Sequence, residues 1–213
     1  MIRLLMGAVP DILMGNEEPW GIEYEAALRS SIPPPHRYRH KDIREGLHEE
    51  THGKCAYCES FIEHIAYSQI EHIEPKSQAP RLTCTWTNLT LACPICNTNK
   101  GDYFSADVPL LNPYIDNVED EICFYGPMAL DRTDRAKLTI SRLRLNRSEL
   151  LYERYEGLKT ISRILDLMQR ATGNAALVEA LKEELTAALE DSAQYASCSR
   201  YFSRAELERR NLN

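Results

Sequence analysis

Cys55-Ala56-Tyr57-Cys58, Glu71-His72-Ile73-Glu74-Pro75-Lys76 and Cys93-Pro94-Ile95-Cys96 follow one another along the chain, so two Cys-x-x-Cys pairs bracket a His-centred segment. A pair at that spacing holds half of a tetrahedral zinc site, and two such pairs complete one. Cys55, Cys58, Cys93 and Cys96 are therefore expected to bind a structural Zn2+ that pins two distant segments together. The 34 residues between the pairs exceed what a minimal zinc ribbon needs. Of the seven cysteines, Cys84, Cys123 and Cys198 lack partner spacing and are read as buried thiols, with Cys84 the one rival ligand.

Between the knuckles, residues 70–73 are short and β-compatible, and Pro75 ends them. Residues 77–87 read as a loop, with Trp86 a core anchor. Residues 89–91 form a second short strand, and Pro94 suits the first turn of a helix that carries Asn97 and Lys100. Before the first knuckle, residues 1–16 read as a strand or irregular arm and 23–30 as a short helix. Pro33-Pro34-Pro35 then forms a stiff connector. A helix over 40–51, with Ile43 and Leu47 four apart, is closed by Gly53. Beyond it, 121–125 is a strand and helical character begins after Gly126-Pro127. A long amphipathic helix runs over 148–170 and breaks at Thr172-Gly173-Asn174. Asn174 caps a helix to about residue 191, and a last helix covers 203–210.

His72 is the residue on which chemistry converges. Hydrolysis of a phosphodiester needs a base for water and a cation at the leaving oxygen. A neutral imidazole suits the first task, and carboxylate and amide oxygens holding Mg2+ or Mn2+ suit the second. His72 is then the base, Glu71 and Asn97 hold the catalytic cation, and Asn88 ties the loop back and orients His72. Asn99 is the alternative to Asn97. Lys76 and Lys100 are candidate phosphate contacts, while His36, His40, His48, His52 and His64 are read as structural.

The chain of 213 residues is 43% apolar and 27% charged, as in an ordinary globular protein, and carries a net charge of −7. That balance argues against broad wrapping of nucleic acid but leaves room for a local basic groove. Two stretches are candidates for one, with solvated helix faces as the alternative reading of both: Arg37-Tyr38-Arg39-His40-Lys41, and residues 132–147 with Arg132, Arg135, Lys137, Arg142, Arg144 and Arg147. There is no 18-residue apolar run and no signal-peptide layout, so a cytoplasmic protein without a membrane partner is expected.

The pattern Cys55-x-x-Cys58, Glu71-His72-Ile73-x-Pro75-Lys76-Ser77, Trp86-x-Asn88-Leu89 and Cys93-x-x-Cys96-Asn97-x-x-Lys100-Gly101 resembles the zinc-containing HNH endonucleases of ββα-metal fold. Gly53-Lys54, Glu59-Ser60, Leu110-Leu111-Asn112-Pro113 and Leu145-Asn146-Arg147 look similar to one branch, the HNH component of Septu-type and retron-associated antiphage systems. The resemblance implies metal-dependent cutting of DNA or RNA, with an SMC/ABC-type ATPase as partner. Asn97 stands where the founding motif has His. The expected fold is α+β: a mainly helical protein whose small ββα-metal core, stapled by the four-cysteine zinc site, precedes a C-terminal helical region. The expected division is an N-terminal arm and helices over 1–52, the nuclease core over 53–125 and helices over 126–213. The competing expectation is a zinc-organised subunit that binds nucleic acid or a partner without cutting; the Glu71-His72 pair with Asn97 argues against it.

Overall fold

The computed structural model describes residues 1–62, 68–171 and 173–210. Residues 1–16 contain no strand. They form an irregular arm with one helical turn at Asp11–Leu13, held where Leu4 N–H donates to the Pro113 carbonyl at 2.9 Å. Helix α1 (Glu17–Arg29) starts earlier than the sequence suggests, since Glu17 and Glu18 suit the positive end of a helix. At Gly21 it packs against the turn Pro80–Leu82 so closely that a Cβ would lie 2.0 Å from the Arg81 carbonyl oxygen.

Helix α2 (Lys41–Thr51) is capped by His40, whose Nδ1 accepts from Asp42 N–H at 3.3 Å. Ile43 and Leu47 are fully buried, as their spacing requires. The helix stops where His52 (φ 53°) and Gly53 (φ 70°) both turn left-handed, and a Cβ on Gly53 would also meet His48 Nε2 at 2.8 Å.

The first knuckle then leads to β1 (Gln69–His72), which pairs antiparallel with β2 (Leu89–Ala92), setting Ile70 opposite Leu91 and His72 opposite Leu89. Pro94 opens α3 (Pro94–Lys100), with the Cys93 sulfur accepting from Cys96 N–H at 3.4 Å as its N-cap. This is the ββα unit the sequence indicates. Trp86 anchors the connection between its strands, 1% exposed with Nε1 donating to the Gly7 carbonyl at 3.4 Å.

A short α4 (Val118–Glu121) precedes a second hairpin, β3 (Ile122–Tyr125) with β4 (Met128–Asp131). Helical structure therefore begins later than Gly126-Pro127 implies; those two residues make the hairpin turn instead, with Gly126 at φ 54°. Helices α5 (Asp134–Arg142), α6 (Ser148–Arg170), α7 (Ala175–Leu189) and α8 (Ala196–Arg210) complete the described residues. Asn174 caps α7 as expected, its Oδ1 accepting from Leu177 N–H at 3.2 Å. The expected breaker Thr172 and the expected structural His64 lie outside the described residues. Leu158, Ile161, Leu165 and Met168 form the buried stripe of α6, each burial worth about 1.5–3 kcal/mol. No helix among the described residues is long and apolar enough to cross a membrane. The architecture is α+β, with two small two-stranded sheets among helices in the described residues.

The connection between α7 and α8 and the first turn of α8 grip the knuckle directly. Lys54, 1% exposed, donates to the backbone carbonyls of Asp191 and of Ala193, the latter at 2.7 Å. Glu59 accepts from Ser197 N–H at 3.1 Å and also binds the Ser197 hydroxyl and the Met1 amine.

Candidate active site and metal centre

The sulfurs of Cys55, Cys58, Cys93 and Cys96 all lie within 4.8 Å of one another, and all four residues are buried. Cys58 Sγ and Cys93 Sγ are 3.8 Å apart. Two sulfurs at about 2.3 Å from a tetrahedral zinc are separated by roughly that distance, so the cluster suits structural Zn2+. Hydrogen bonds from Cys55, Cys93 and Cys96 hold the Cys58 thiol well below its ordinary value. Cys84 takes no part: it is buried apart from the cluster, and burial pushes its thiol up to about 11. Arg147 sits over the cluster, with Nη1 at 3.7 Å from Cys96 Sγ and Nη2 at 3.6 Å from Cys58 Sγ. Burial works against its charge, but Cys96 and Cys58 outweigh it and raise its pKa. A Zn2+ held by four thiolates leaves two negative charges, so a guanidinium there offsets part of them.

His72 ends β1 and is 4% exposed. Its Nε2 lies 2.9 Å from the Thr83 carbonyl oxygen. A carbonyl only accepts, so Nε2 carries the proton and Nδ1 keeps the lone pair. Burial, joined by the charges of Lys76 and Lys100, lowers the imidazole pKa to about 3, so the ring is neutral at physiological pH. The Tyr38 ring meets the imidazole edge to face, with centroids 4.7 Å apart.

Asn88 does what its position suggests. Its Oδ1 accepts from Glu74 N–H at 2.7 Å, and its Nδ2 donates to the carbonyls of Glu74 at 3.1 Å and Leu82 at 3.2 Å. One amide thus closes both ends of the loop that leaves His72 and returns at Thr83.

Glu71 is 5% exposed. Burial raises its pKa, and Lys100 opposes that shift. Lys100 Nζ pairs with Glu71 Oε1 at 2.6 Å. Asn97 donates from Nδ2 to Gln69 Oε1 at 2.6 Å, leaving its Oδ1 without a partner among the described residues. Glu71, His72 and Asn97 line one open groove. A carboxylate and a free amide oxygen are hard donors, as a small divalent cation requires. Asn99, the alternative, also has an amide nitrogen that is buried without a partner among the described residues.

Lys100 corrects the expectation of a phosphate contact. It is 3% exposed, with Nζ donating to the His72 carbonyl at 2.9 Å and facing Glu71, so its ammonium is enclosed within the site rather than offered to a substrate. The basic stretch over 132–147 is likewise partly committed: Arg135 pairs with Asp116, Arg142 donates to the Lys100 carbonyl and Arg147 covers the cluster. Three participants escape a reading of the sequence. Thr83 acts through a backbone carbonyl and leaves no side-chain signature. Tyr38 is visible only as an aromatic within a basic run, and Arg147 only as one charge among several.

Residues 55–103 match the family model for HNH endonuclease. The chain is 33% identical over 132 residues to the Septu protein PtuB of Bacillus thuringiensis, a match covering 61% of this chain and 51% of that protein. It is 27% identical over 201 residues to the Septu protein PtuB of Bacillus mycoides, covering 76% of this chain and 68% of the relative. The chain thus spans about half the length of the first of these relatives.

Proposed function

We propose that this chain, which carries an HNH domain and is PtuB-like, is a metal-dependent endonuclease acting as the nuclease of a Septu-type antiphage system. The observation that carries the reading is the buried His72, its Nε2 fixed on the Thr83 carbonyl, in one groove with the Glu71 carboxylate and the free Asn97 amide oxygen. His72 Nδ1 takes a proton from the attacking water, because the ring is neutral and its tautomer is set. Glu71 and Asn97 would hold Mg2+ or Mn2+, which when bound offsets charge on the leaving oxygen. Lys100 holds the His72 carbonyl and the Glu71 carboxylate in place, and Asn88 keeps the loop from carrying Thr83 away. The net charge of −7 fits a nuclease whose grip on DNA or RNA is local and shared with a partner, for which the family resemblance suggests an SMC/ABC-type ATPase.

The test is incubation of wild type and His72→Ala with plasmid DNA and with total RNA, each with Mg2+, Mn2+ or EDTA. Metal-dependent cutting by wild type that disappears in His72→Ala, with folding intact, is the expected result and names the polymer. Equal cutting by both proteins removes His72 from the mechanism.

A further inference from the structure

A second cavity, of about 350 Å3, adjoins the groove and shares Ile70, Lys76 and Asn97 with it. Its other walls include Tyr38, Arg39 and Arg44, and no acidic side chain among the described residues lines it. That is unusual in so acidic a chain, where many guanidinium and ammonium groups sit beside carboxylates. Arg37 lies against Glu23, Arg81 against Glu25, Arg135 against Asp116 and Arg200 against Asp191. Arg39 and Lys76 have no such partner among the described residues. Both are instead gathered by Tyr38: the Arg39 guanidinium is 5.7 Å from the ring centroid and the Lys76 ammonium 4.7 Å. Lys76 also donates to the Tyr38 hydroxyl at 2.9 Å. The same ring packs on His72, so both cations lie beside the residue that meets the imidazole. Their field reaches nearby groups: His36 is held below its ordinary value by burial and then by Arg39 and Lys76. Arg44 is anchored by Nη1 to Ser68 O and Oγ at 2.7 and 3.1 Å, which leaves its other nitrogens available.

We infer that this cavity seats the phosphodiester backbone of the substrate strand beside the scissile bond, with Arg39 and Lys76 contacting phosphates and Tyr38 positioning both. A free phosphate would need a closed cup. An open cavity continuous with the groove fits the neighbouring phosphates of a polymer. The inference rests on the nuclease reading for the nature of that polymer and deepens it by naming where the strand lies.

The experiment measures anisotropy of a short fluorescent single strand and of the duplex, in DNA and RNA forms, without added divalent cation and across a salt series. Arg39→Gln, Lys76→Gln, the double variant and the remote control Lys182→Gln are compared with wild type at equal zinc content and thermal stability. Each single substitution in the cavity should reduce the slope of log affinity against log salt by about 0.7 for a single strand or about 0.9 for a duplex, with the double variant showing twice that. Lys182→Gln should match wild type. Unchanged slopes for Arg39→Gln and Lys76→Gln, an equal loss in Lys182→Gln, or no binding by wild type overturns the cleft. Cutting assays on the same preparations keep the two readings apart. Metal-dependent cutting with unchanged slopes refutes the cleft alone, while reduced slopes with His72→Ala cutting like wild type support the cleft and refute the mechanism.

Discussion

Asn88 offers the sharpest perturbation of the groove. Its side chain is 5% exposed and makes three hydrogen bonds, to Glu74 N, Glu74 O and Leu82 O. At about 1 kcal/mol net for each, Asn88→Ala should cost about 3 kcal/mol, with the partners left in a poorly hydrated place. For a chain of this length that is a fall in Tm of about 6–12 °C. Asn88→Asp keeps the shape and one acceptor, yet it sets a carboxylate against two carbonyl oxygens. Its pKa in the folded state must rise, so the penalty is full at neutral pH and shrinks as pH falls towards the ordinary carboxyl value of about 4. The deficit of Asn88→Ala should stay nearly flat over the same window. Denaturant titrations of the three proteins at pH 7.5 and pH 5 measure both effects. Freed of its clamp, the loop no longer holds the Thr83 carbonyl against His72, and kcat for cleavage should drop about 100-fold, as for other displacements near 1 Å. An Asn88→Asp protein as stable and active as wild type at neutral pH would contradict the role of the amide clamp, because no carboxylate can make the two lost donations.

Four further outcomes are expected. Cys93→Ser should lower zinc content and collapse the melting transition, since metal binding and folding are coupled; unchanged metal by mass spectrometry contradicts this. Arg147→Gln should leave the four ligands in place but speed zinc transfer to a chromogenic chelator by about 10-fold or more, as loss of an outer-shell partner does. Gly21→Ala should destabilise by about 1–3 kcal/mol and weaken cleavage, because its methyl group would strike the Arg81 carbonyl two residues before Thr83; a melting curve that superimposes on wild type denies the close approach. In the zinc-loaded protein at pH 8, iodoacetamide should label the partly exposed Cys123 before Cys84 or Cys198, whose thiols burial pushes up to about 11 and about 12. Peptide mapping gives the order.

What can be read in the chain before folding depends on how local the governing interaction is. The knuckles, the Pro94 helix start, the Asn174 cap and the Ile43–Leu47 stripe each depend on residues a few positions apart, and each stands where its spacing places it. The β3–β4 hairpin is hidden at Gly126-Pro127 because a turn there competes with a helix start. What decides between them is packing: Arg154, 3% exposed, donates to the Pro127 carbonyl at 3.2 Å from far along the chain. Lys100 misleads for a similar reason. A lysine near a nuclease motif suggests phosphate, and only the fold shows its ammonium enclosed between Glu71 and the His72 carbonyl. The Glu71–His72–Asn97 grouping is legible as composition; the tautomer of His72 is not, since it hangs on a main-chain oxygen.

The seat of Lys54 and Glu59 under the residues that begin α8 bears on how the molecule is made. Both side chains belong to the first knuckle, yet their partners at Asp191, Ala193 and Ser197 leave the ribosome well over a hundred residues later. Until then a lysine and a glutamate destined for burial stand in water, and the zinc ligands have already been translated. Metal capture can therefore come first and the C-terminal helices close over a finished knuckle. A cell short of zinc would then accumulate chains whose last helix has nowhere to dock, exposing apolar surface to quality control and lowering the yield of folded protein.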